Sequence, residues 1–543
     1  MGGAVKTLEK IRAMYGPTPD SLEQLMKAMK AHMRRLGVLT SEAAERIDGM
    51  GGGVVETGQQ PVCLGGPSLI LNKIAYISSL SGIAEGIVPL FYVADYDGVQ
   101  PELLNSRVPS ESPRGLLLSY PSGLEYEGSP IYELPVPSEE WLRKTLERVE
   151  GNYKGLLRDV EVDVRDEKLE KLAHVFTIIR SAYYSTENVS DLSTKIVGTL
   201  VNLEANLGVP ILQFSTPGTR CLFQPGYELL LAEPGRSLFI EASNEACRAV
   251  EEAGYRSQIG SRSQEYVPFY LECQNPGCHR TRIELNYVRV AESTTASVKG
   301  KCPKCGEVYE YSFDASNPDL SEVIDWIAPR VDSRQVVVDS AMPVLAHIGG
   351  PGETSYYAEV IPAARALGLP FPTFLRYSRT FYGTPWNEAR AKAVHELGHR
   401  TLVNDSLFKA LGDWVVARNS SDSDSTRRAH DEIREAIEST RDSLVGVVTS
   451  LESEIDAIKG RLRDPAERVR LLQEMREKQA SLRDLETYLS SAFGRYAPEH
   501  TSQEVSWCWI DLATVSGVGD LMGVYNRIYS ELTPNSSMFY VNL

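Results

Sequence analysis

Four of the eight cysteines fall into two pairs, Cys273-x4-Cys278 and, 23 residues further on, Cys302-x2-Cys305. A soft divalent ion takes four thiolates at the corners of a tetrahedron, and two cysteine knuckles facing each other across small hairpins supply them. Pro276, Gly277 and Pro303 sit beside those cysteines, where tight turns are needed. The expected ion is Zn2+, and four thiolates leave it no open position, so its role is structural. His279, next to Cys278, is read as a bystander. The remaining cysteines, Cys63, Cys221, Cys247 and Cys508, are scattered. That usage predicts a reducing, cytoplasmic setting.

Two glycine-rich runs form the second signal: TGQQPVCLGGPSLILNK (57–73) and HIGGPGETSYYAE (347–359). Each follows an apolar strand and opens a helix. The first amides of a helix are unpaired and carry partial positive charge, so such junctions favour phosphate or carboxylate. One Gly-Gly-Pro turn is more often a turn than a site, but two at equivalent strand–helix junctions point to a shared cradle. The candidate binding residues are Thr57, Gly58, Gln59, Gln60, Gly65, Gly66, Pro67 and Lys73 in the first run. In the second they are Gly349, Gly350, Pro351, Gly352, Glu353 and Tyr356. Neither run is a Walker A loop or a dinucleotide fingerprint.

FLRYSRTFY (374–382) places Arg376, Ser378, Arg379 and Thr380 at a strand end, where they could clamp an anion. Alone it is better explained by an exposed basic loop. Asp95 and Asp97, just past another strand, could grip an amine or Mg2+, or lie on a solvated turn. His395-Glu396-Leu397-Gly398-His399 fits the two-histidine pattern of zinc proteases. Gly398 reads as a helix stop, however, which leaves His399 off the helix, and the match is declined.

The elements that must position these groups follow from periodicity. Residues 19–50 read as two helices, with Leu22, Leu25, Met26, Met29 and Met33 at helical spacing. VVETGQQ, the first glycine run and its helix, with Pro67 in the first turn, and IVPLFYVAD predict a βαβ unit of a parallel sheet. LGVPILQFS and RSLFIEA read as further strands, and residues 334–370 restore strand, glycine loop and helix. From 419 a polar linker gives way to Ile437, Leu444, Val448, Leu451, Ile455, Ile458 and Leu462. Asp464, Pro465 and Glu467 cap a return helix lined by Leu472, Met475, Leu482, Leu485 and Leu489, so the pair predicts an antiparallel coiled coil.

The expected division is 1–50 N-terminal helices packing on the core; 51–230 the first part of a Rossmann-like core, with an excursion near 110–165; and 231–330 a connective insertion carrying the zinc ribbon (268–314). Then come 331–418 the second part of the core, 419–495 the coiled coil, and 496–543 a segment returning to the core. A net charge of −17 argues against broad nucleic-acid binding. The most apolar stretch, Leu69 to Val93, is interrupted by Lys73, Glu85 and Pro89, which predicts no membrane span. The N-terminus reads as neither a signal peptide nor a myristoylation site.

VVETGQQPVCLGGPSLILNK, VLAHIGGPGETSYYAEV, the Phe-x-Arg-x-Ser-x-Thr run Phe374–Thr380 and the late helical hairpin, in that order, resemble the bacillithiol-biosynthesis cysteine-adding family (BshC). The resemblance implies an α/β fold with a Rossmann-like parallel sheet similar to class I aminoacyl-tRNA synthetases, connective insertions, and a C-terminal coiled coil that closes a homodimer. It further implies a ligase that uses ATP with Mg2+ to join cysteine to an amino-sugar acceptor such as glucosaminyl-malate. In that scheme the glycine runs hold phosphate or carboxylate, Arg376 and Arg379 offset developing negative charge, and Asp95 and Asp97 hold the amine or a metal ion. Two departures stand out. Family members carry Glu-Asp-His-Asp where this chain has Ala94-Asp95-Tyr96-Asp97, and the ribbon is not a general family feature. A ligase with a different acceptor, a ribbon-bearing nucleic-acid-associated protein and a scaffold are the alternatives.

Overall fold

Apolar runs of strand length, bounded by glycine and proline, build the centre of the molecule. The computed structural model describes residues 2–15, 21–110, 115–158, 160–289, 293–382, 384–386, 423–462, 467–488, 503–530 and 538–541. Within it, Val54–Gln59 (β1), Val88–Val93 (β2), Ile211–Gln213 (β3), Val344–Gly349 (β4) and Thr373–Arg376 (β5) form one sheet in the order β5-β4-β1-β2-β3. Every neighbouring pair is parallel. All residues of β2 and β4 are buried, as expected of strands covered by helices on both faces. The chain starts at the centre, winds out to β3, then crosses back to β4 and β5. This is the doubly wound Rossmann order, with its crevice at the carboxyl ends of β1 and β4, where the winding reverses.

Five helices position that crevice: Leu69–Ser81 (α1), Gly235–Glu252 (α2), Pro351–Ala366 (α3), Trp509–Ser516 (α4) and Val518–Ser530 (α5). α1 buries Leu69, Ile70, Leu71, Ile74, Ala75 and Ile77 together with Asn72 and Lys73, so it is covered nearly all round. A helix of that kind needs a partner on the side away from the sheet. α5 provides it, with Tyr529 stacked on Tyr76 at 4.6 Å between ring centres. α3 is covered by α2 in the same way.

Three expectations need correction. RSLFIEA is not a strand but lies within α2, whose buried Arg236, Phe239, Ile240, Ser243, Ala246 and Cys247 recur at helical spacing. Seven residues were too few to separate the two periods. In RQVVVDSAMPVLAHIGG the strand begins only at Val344, and Arg334–Asp339 is a short helix. Pro67 lies before α1 rather than in its first turn, and pairs with Cys508.

The cysteine segment forms two hairpins. Phe269–Glu272 pairs with Arg282–Ile283, and Thr295–Lys301 pairs with Val308–Asp314, with one cysteine pair at each tip. Late in the chain, Ser423–Arg461 and Arg468–Tyr488 lie against each other with Leu444, Ile455, Ile458 and Leu471 buried. Lys478 pairs with Glu454 at 2.5 Å between them. The Asp464-Pro465 turn and the His395–His399 run lie outside the described residues. Among those described, no helix is long and apolar enough to cross a membrane.

Trp509 is the clearest test of the C-terminal cover. It is buried, and its Nε1–H donates to the Leu64 carbonyl at 2.8 Å. Trp509→Ala is expected to cost about 3–5 kcal/mol, read as a lower urea midpoint.

Candidate functional site

The carboxyl ends of β1, β2, β4 and β5 surround a cleft of about 640 Å³, a size suited to a small-molecule substrate. Gly58, Gln59 and Gln60 enter it from β1, and Tyr92, Tyr96 and Asp97 from β2. Gly350, Gly352, Glu353 and Tyr356 come from the start of α3, and Tyr377 and Arg379 from beyond β5.

A buried ion pair holds these edges together. Lys73 on α1 reaches Glu353 on α3 at 2.9 Å and also donates to the Gly58 carbonyl at 3.1 Å and to Gln59 Oε1 at 3.3 Å. All three ammonium hydrogens have protein acceptors, so Lys73 braces the cleft rather than presenting a free cation to a ligand. Glu353 also accepts from the Gly350 amide at 2.5 Å, the one half of a capping box that a glycine N-cap allows at the start of α3. Burial works to raise the Glu353 pKa, but Lys73, His347 and the Gly350 amide overcome it and hold it at about 2.

Behind Glu353 stands a buried chain. His347 Nδ1 lies 2.8 Å from Glu56 Oε1, and its Nε2 faces Glu353 at 3.8 Å with no hydrogen-bond partner among the described residues. Burial alone would raise the Glu56 pKa; the bond from His347 and the nearby Arg334 bring it below the usual carboxylate range. Arg334 lies over the Tyr92 ring at 5.5 Å and donates to Gln335 and Tyr357. Sequence reasoning missed Arg334, Glu56 and His347. Taking RQVVVD as strand concealed Arg334, whereas the position of His347 directly before a glycine loop was a usable signal.

The two glycine runs have different fates. Leu64, Gly65 and Gly66 all have positive φ, and a Cβ on Gly65 would come within 2.9 Å of Ile196 and 3.0 Å of Trp509 Nε1. This first turn, which includes Pro67, is packed under side chains and lies outside the cleft lining. The second is open: a Cβ on Gly352 would meet nothing within 4 Å. Gly349 is pressed against Phe374, where a Cβ would lie at 2.6 Å, and Thr57 is buried with its hydroxyl donating to the Ile348 carbonyl at 2.8 Å. Pro351 opens α3.

The acidic and basic candidates also separate. Asp97 faces the cleft and accepts from Gln60 Nε2 at 2.9 Å, and burial raises its pKa. Asp95 is fully buried away from it, bonded by Ser190 Oγ at 2.9 Å and the Ser215 amide at 3.0 Å, and burial pushes its pKa up to about 6. Arg379 lines the cleft and has no ion-pair partner among the described residues, whereas Arg376 is exposed outside the lining. Ser378 and Thr380 are buried, where the Ser378 carbonyl accepts from Asn72 and the Thr380 amide donates to Glu504.

The four knuckle cysteines form a separate centre. Their sulfurs all lie within 4.8 Å of one another, with Cys273–Cys305 at 3.7 Å and Cys278–Cys302 at 3.9 Å. A tetrahedron of metal–sulfur bonds near 2.3 Å has edges of about 3.8 Å, so the set fits one metal ion. The His279 ring packs on Tyr126 at 4.6 Å.

The model of the family described as "Bacillithiol biosynthesis BshC, N-terminal Rossmann-like domain" matches residues 136–377, a stretch that holds β3, the ribbon, β4, the open glycine loop and β5. The "Putative cysteine ligase BshC" of Bacillus anthracis is 22% identical over 327 residues, 59% of this chain and 53% of that protein. A protein of the same name from Carboxydothermus hydrogenoformans is 22% identical over 379 residues, 68% of this chain and 63% of the relative. The chain thus spans between about half and just under two thirds of the length of these relatives.

The brace can be tested through acid stability. Glu353 has a folded-state pKa of about 2, below the ordinary 4.5, so its contribution is present at neutral pH and is lost as pH falls from about 5 towards 2. Lys73→Met is expected to cost on the order of 3 kcal/mol at pH 7, by leaving a buried carboxylate unpaired. It should also flatten the acid limb of stability, measured by urea unfolding between pH 7 and 3.

Proposed function

We propose that the chain is a member of the BshC family and a ligase joining cysteine, or a related amino acid, to the amine of an amino sugar such as glucosaminyl-malate, the cysteine-adding step of bacillithiol synthesis. The observation that carries this assignment is the composition of one cleft. An open helix start with Arg379 faces a carboxylate, Asp97, across a space of small-molecule size.

A carboxylate is a poor electrophile, and ATP with Mg2+ is the co-substrate that would activate it, as an acyl phosphate or an adenylate. The amides of Gly352 and Glu353 and the Arg379 guanidinium suit phosphate or carboxylate oxygens there and offset charge as it develops. Asp97, its pKa raised, accepts a proton from the attacking ammonium and so frees the amine lone pair. Tyr96 takes the place of the family's histidine. It lines the same wall and bears on the choice of acceptor. In this reading the doubly wound sheet with its insertions is likened to class I aminoacyl-tRNA synthetases, which also activate an amino-acid carboxylate. The four thiolates suit a structural Zn2+. The late helical hairpin, with Val445 and Val469 exposed, is assigned to pairing with a second copy. A reducing cytoplasm fits all three roles.

Mass spectrometry of reactions holding ATP, cysteine and a panel of amino sugars tests the assignment. The expected product is the acceptor plus cysteine less one water, with ADP or AMP distinguishing the intermediates. No ATP consumption with any acceptor, together with no nucleotide binding by calorimetry, would rule the ligase out. Gly352→Leu, which pushes a side chain into open cleft space, should weaken ligand binding at least about tenfold with the melting temperature unchanged. Elemental analysis of the purified chain should return one zinc per molecule.

A further inference from the structure

We propose that the four-cysteine ribbon is part of the cleft's machinery, because it delivers Arg282 to Asp97 and so sets the position and charge of the carboxylate assigned above to the amine. Arg282 is a positioning residue in this scheme, and the proposal rests on that assignment of Asp97.

Arg282 follows the first knuckle by four residues. From Cys278 the chain passes through His279 and Arg280, both at positive φ (48° and 53°), a conformation that side chains other than glycine rarely adopt. Thr281 fixes the turn, its hydroxyl donating to the Cys278 carbonyl at 2.6 Å and its carbonyl accepting from the Cys273 amide at 2.9 Å. The Arg282 amide then donates to the Gly128 carbonyl at 2.9 Å, and the guanidinium lies over Tyr270 at 4.8 Å and 3.6 Å from Asp97 Oδ1. Gln60 holds the other carboxylate oxygen at 2.9 Å. The guanidinium passes so close to the next residue that a Cβ on Gly98 would lie 2.9 Å from Arg282 Nη2.

The second knuckle grips the same edge. Lys304, between Cys302 and Cys305, reaches Ser129 Oγ at 3.3 Å, and Ser129 Oγ in turn donates to the Cys278 carbonyl at 3.4 Å. The Ser129 carbonyl accepts from the Val99 amide at 2.7 Å, and the Asp97 carbonyl accepts from the Ile131 amide at 2.8 Å. Both knuckles therefore bear on the short segment that carries Asp97, and one metal ion would clamp them together. Beside the thiols, the hairpins are joined by the Gln274 amide donating to the Tyr309 hydroxyl at 3.0 Å and Gln274 Nε2 donating to the Tyr311 hydroxyl at 3.0 Å.

The charged and titratable groups facing Asp97 are Arg282 and Arg334, which lower its pKa, Glu102, which raises it, and the phenols of Tyr96 and Tyr356. Loss of Arg282 removes one stabilising cation, so the ionised form needed to hold an ammonium is reached only at higher pH.

Two measurements on the full-length protein test the coupling. Hydrogen–deuterium exchange by mass spectrometry, before and after zinc removal with a chelator, should show about tenfold faster exchange in residues 97–131 as well as in 268–314. Acceleration confined to the ribbon would overturn the proposal. Calorimetric binding of cysteine and of glucosamine across pH to Arg282→Ala, checked to retain one zinc, should show the acid limb moved to higher pH, and Arg282→Lys should move it back. An unmoved limb in Arg282→Ala would overturn the proposal as well. If the wild-type chain binds neither amine, the ligase assignment fails, while the exchange experiment still decides the role of the ribbon.

Discussion

The cleft depends on one ion pair, its lysine buried and its glutamate at the cleft wall, across the point where the sheet reverses its winding. Lys73 comes from the helix after β1 and Glu353 from the helix after β4, 280 residues apart in the chain. Two charges taken from water need close geometry and further hydrogen bonds to offset their desolvation. Here the ammonium has two further oxygen acceptors, and the carboxylate has a backbone amide. The pair fixes the two lips of the crevice relative to each other, and the open glycine loop owes its position to it.

The same pair redistributes the work of the site. Lys73 and Arg334 are committed to protein partners, whereas Arg379 lines the cleft and Asp97 faces it with Arg282 at 3.6 Å. The two aspartates two residues apart show why strand geometry matters. Successive side chains point alike only at every second position, but the chain leaves β2 after Val93 and turns. Asp95 is drawn under the sheet by serine hydroxyls, whereas Asp97 emerges at the rim.

Much of the fold was legible in the sequence because it rests on local pattern. The helices of residues 21–36 and 41–48, the strands β1, β2 and β4, the cysteine knuckles and both long late helices follow from spacing alone. What failed was either short or non-local. RSLFIEA needed its neighbours to reveal a helical period, and the first glycine turn looked like a ligand cradle because nothing local shows that Trp509 closes it. The cleft-lining residues Gly350, Gly352, Glu353, Asp97 and Arg379 were singled out from residue type and position. Arg334, Glu56 and Arg282 could not be found that way, since each matters through a partner more than 100 residues distant or, for Arg282, through a hairpin that carries it there.

The closed glycine turn also bears on how the chain reaches its native state. Leu64 is held by Trp509, Asn72 by Glu504 and Tyr529, so the second and third elements of the sheet region are finished by residues more than 430 positions later. During synthesis, α1 emerges with an apolar flank whose cover has not yet been translated. Contacts of such separation are the slowest to form and leave nascent surface open to association in the interval. The cover of α1 is therefore completed only once residues 504–529 have been made.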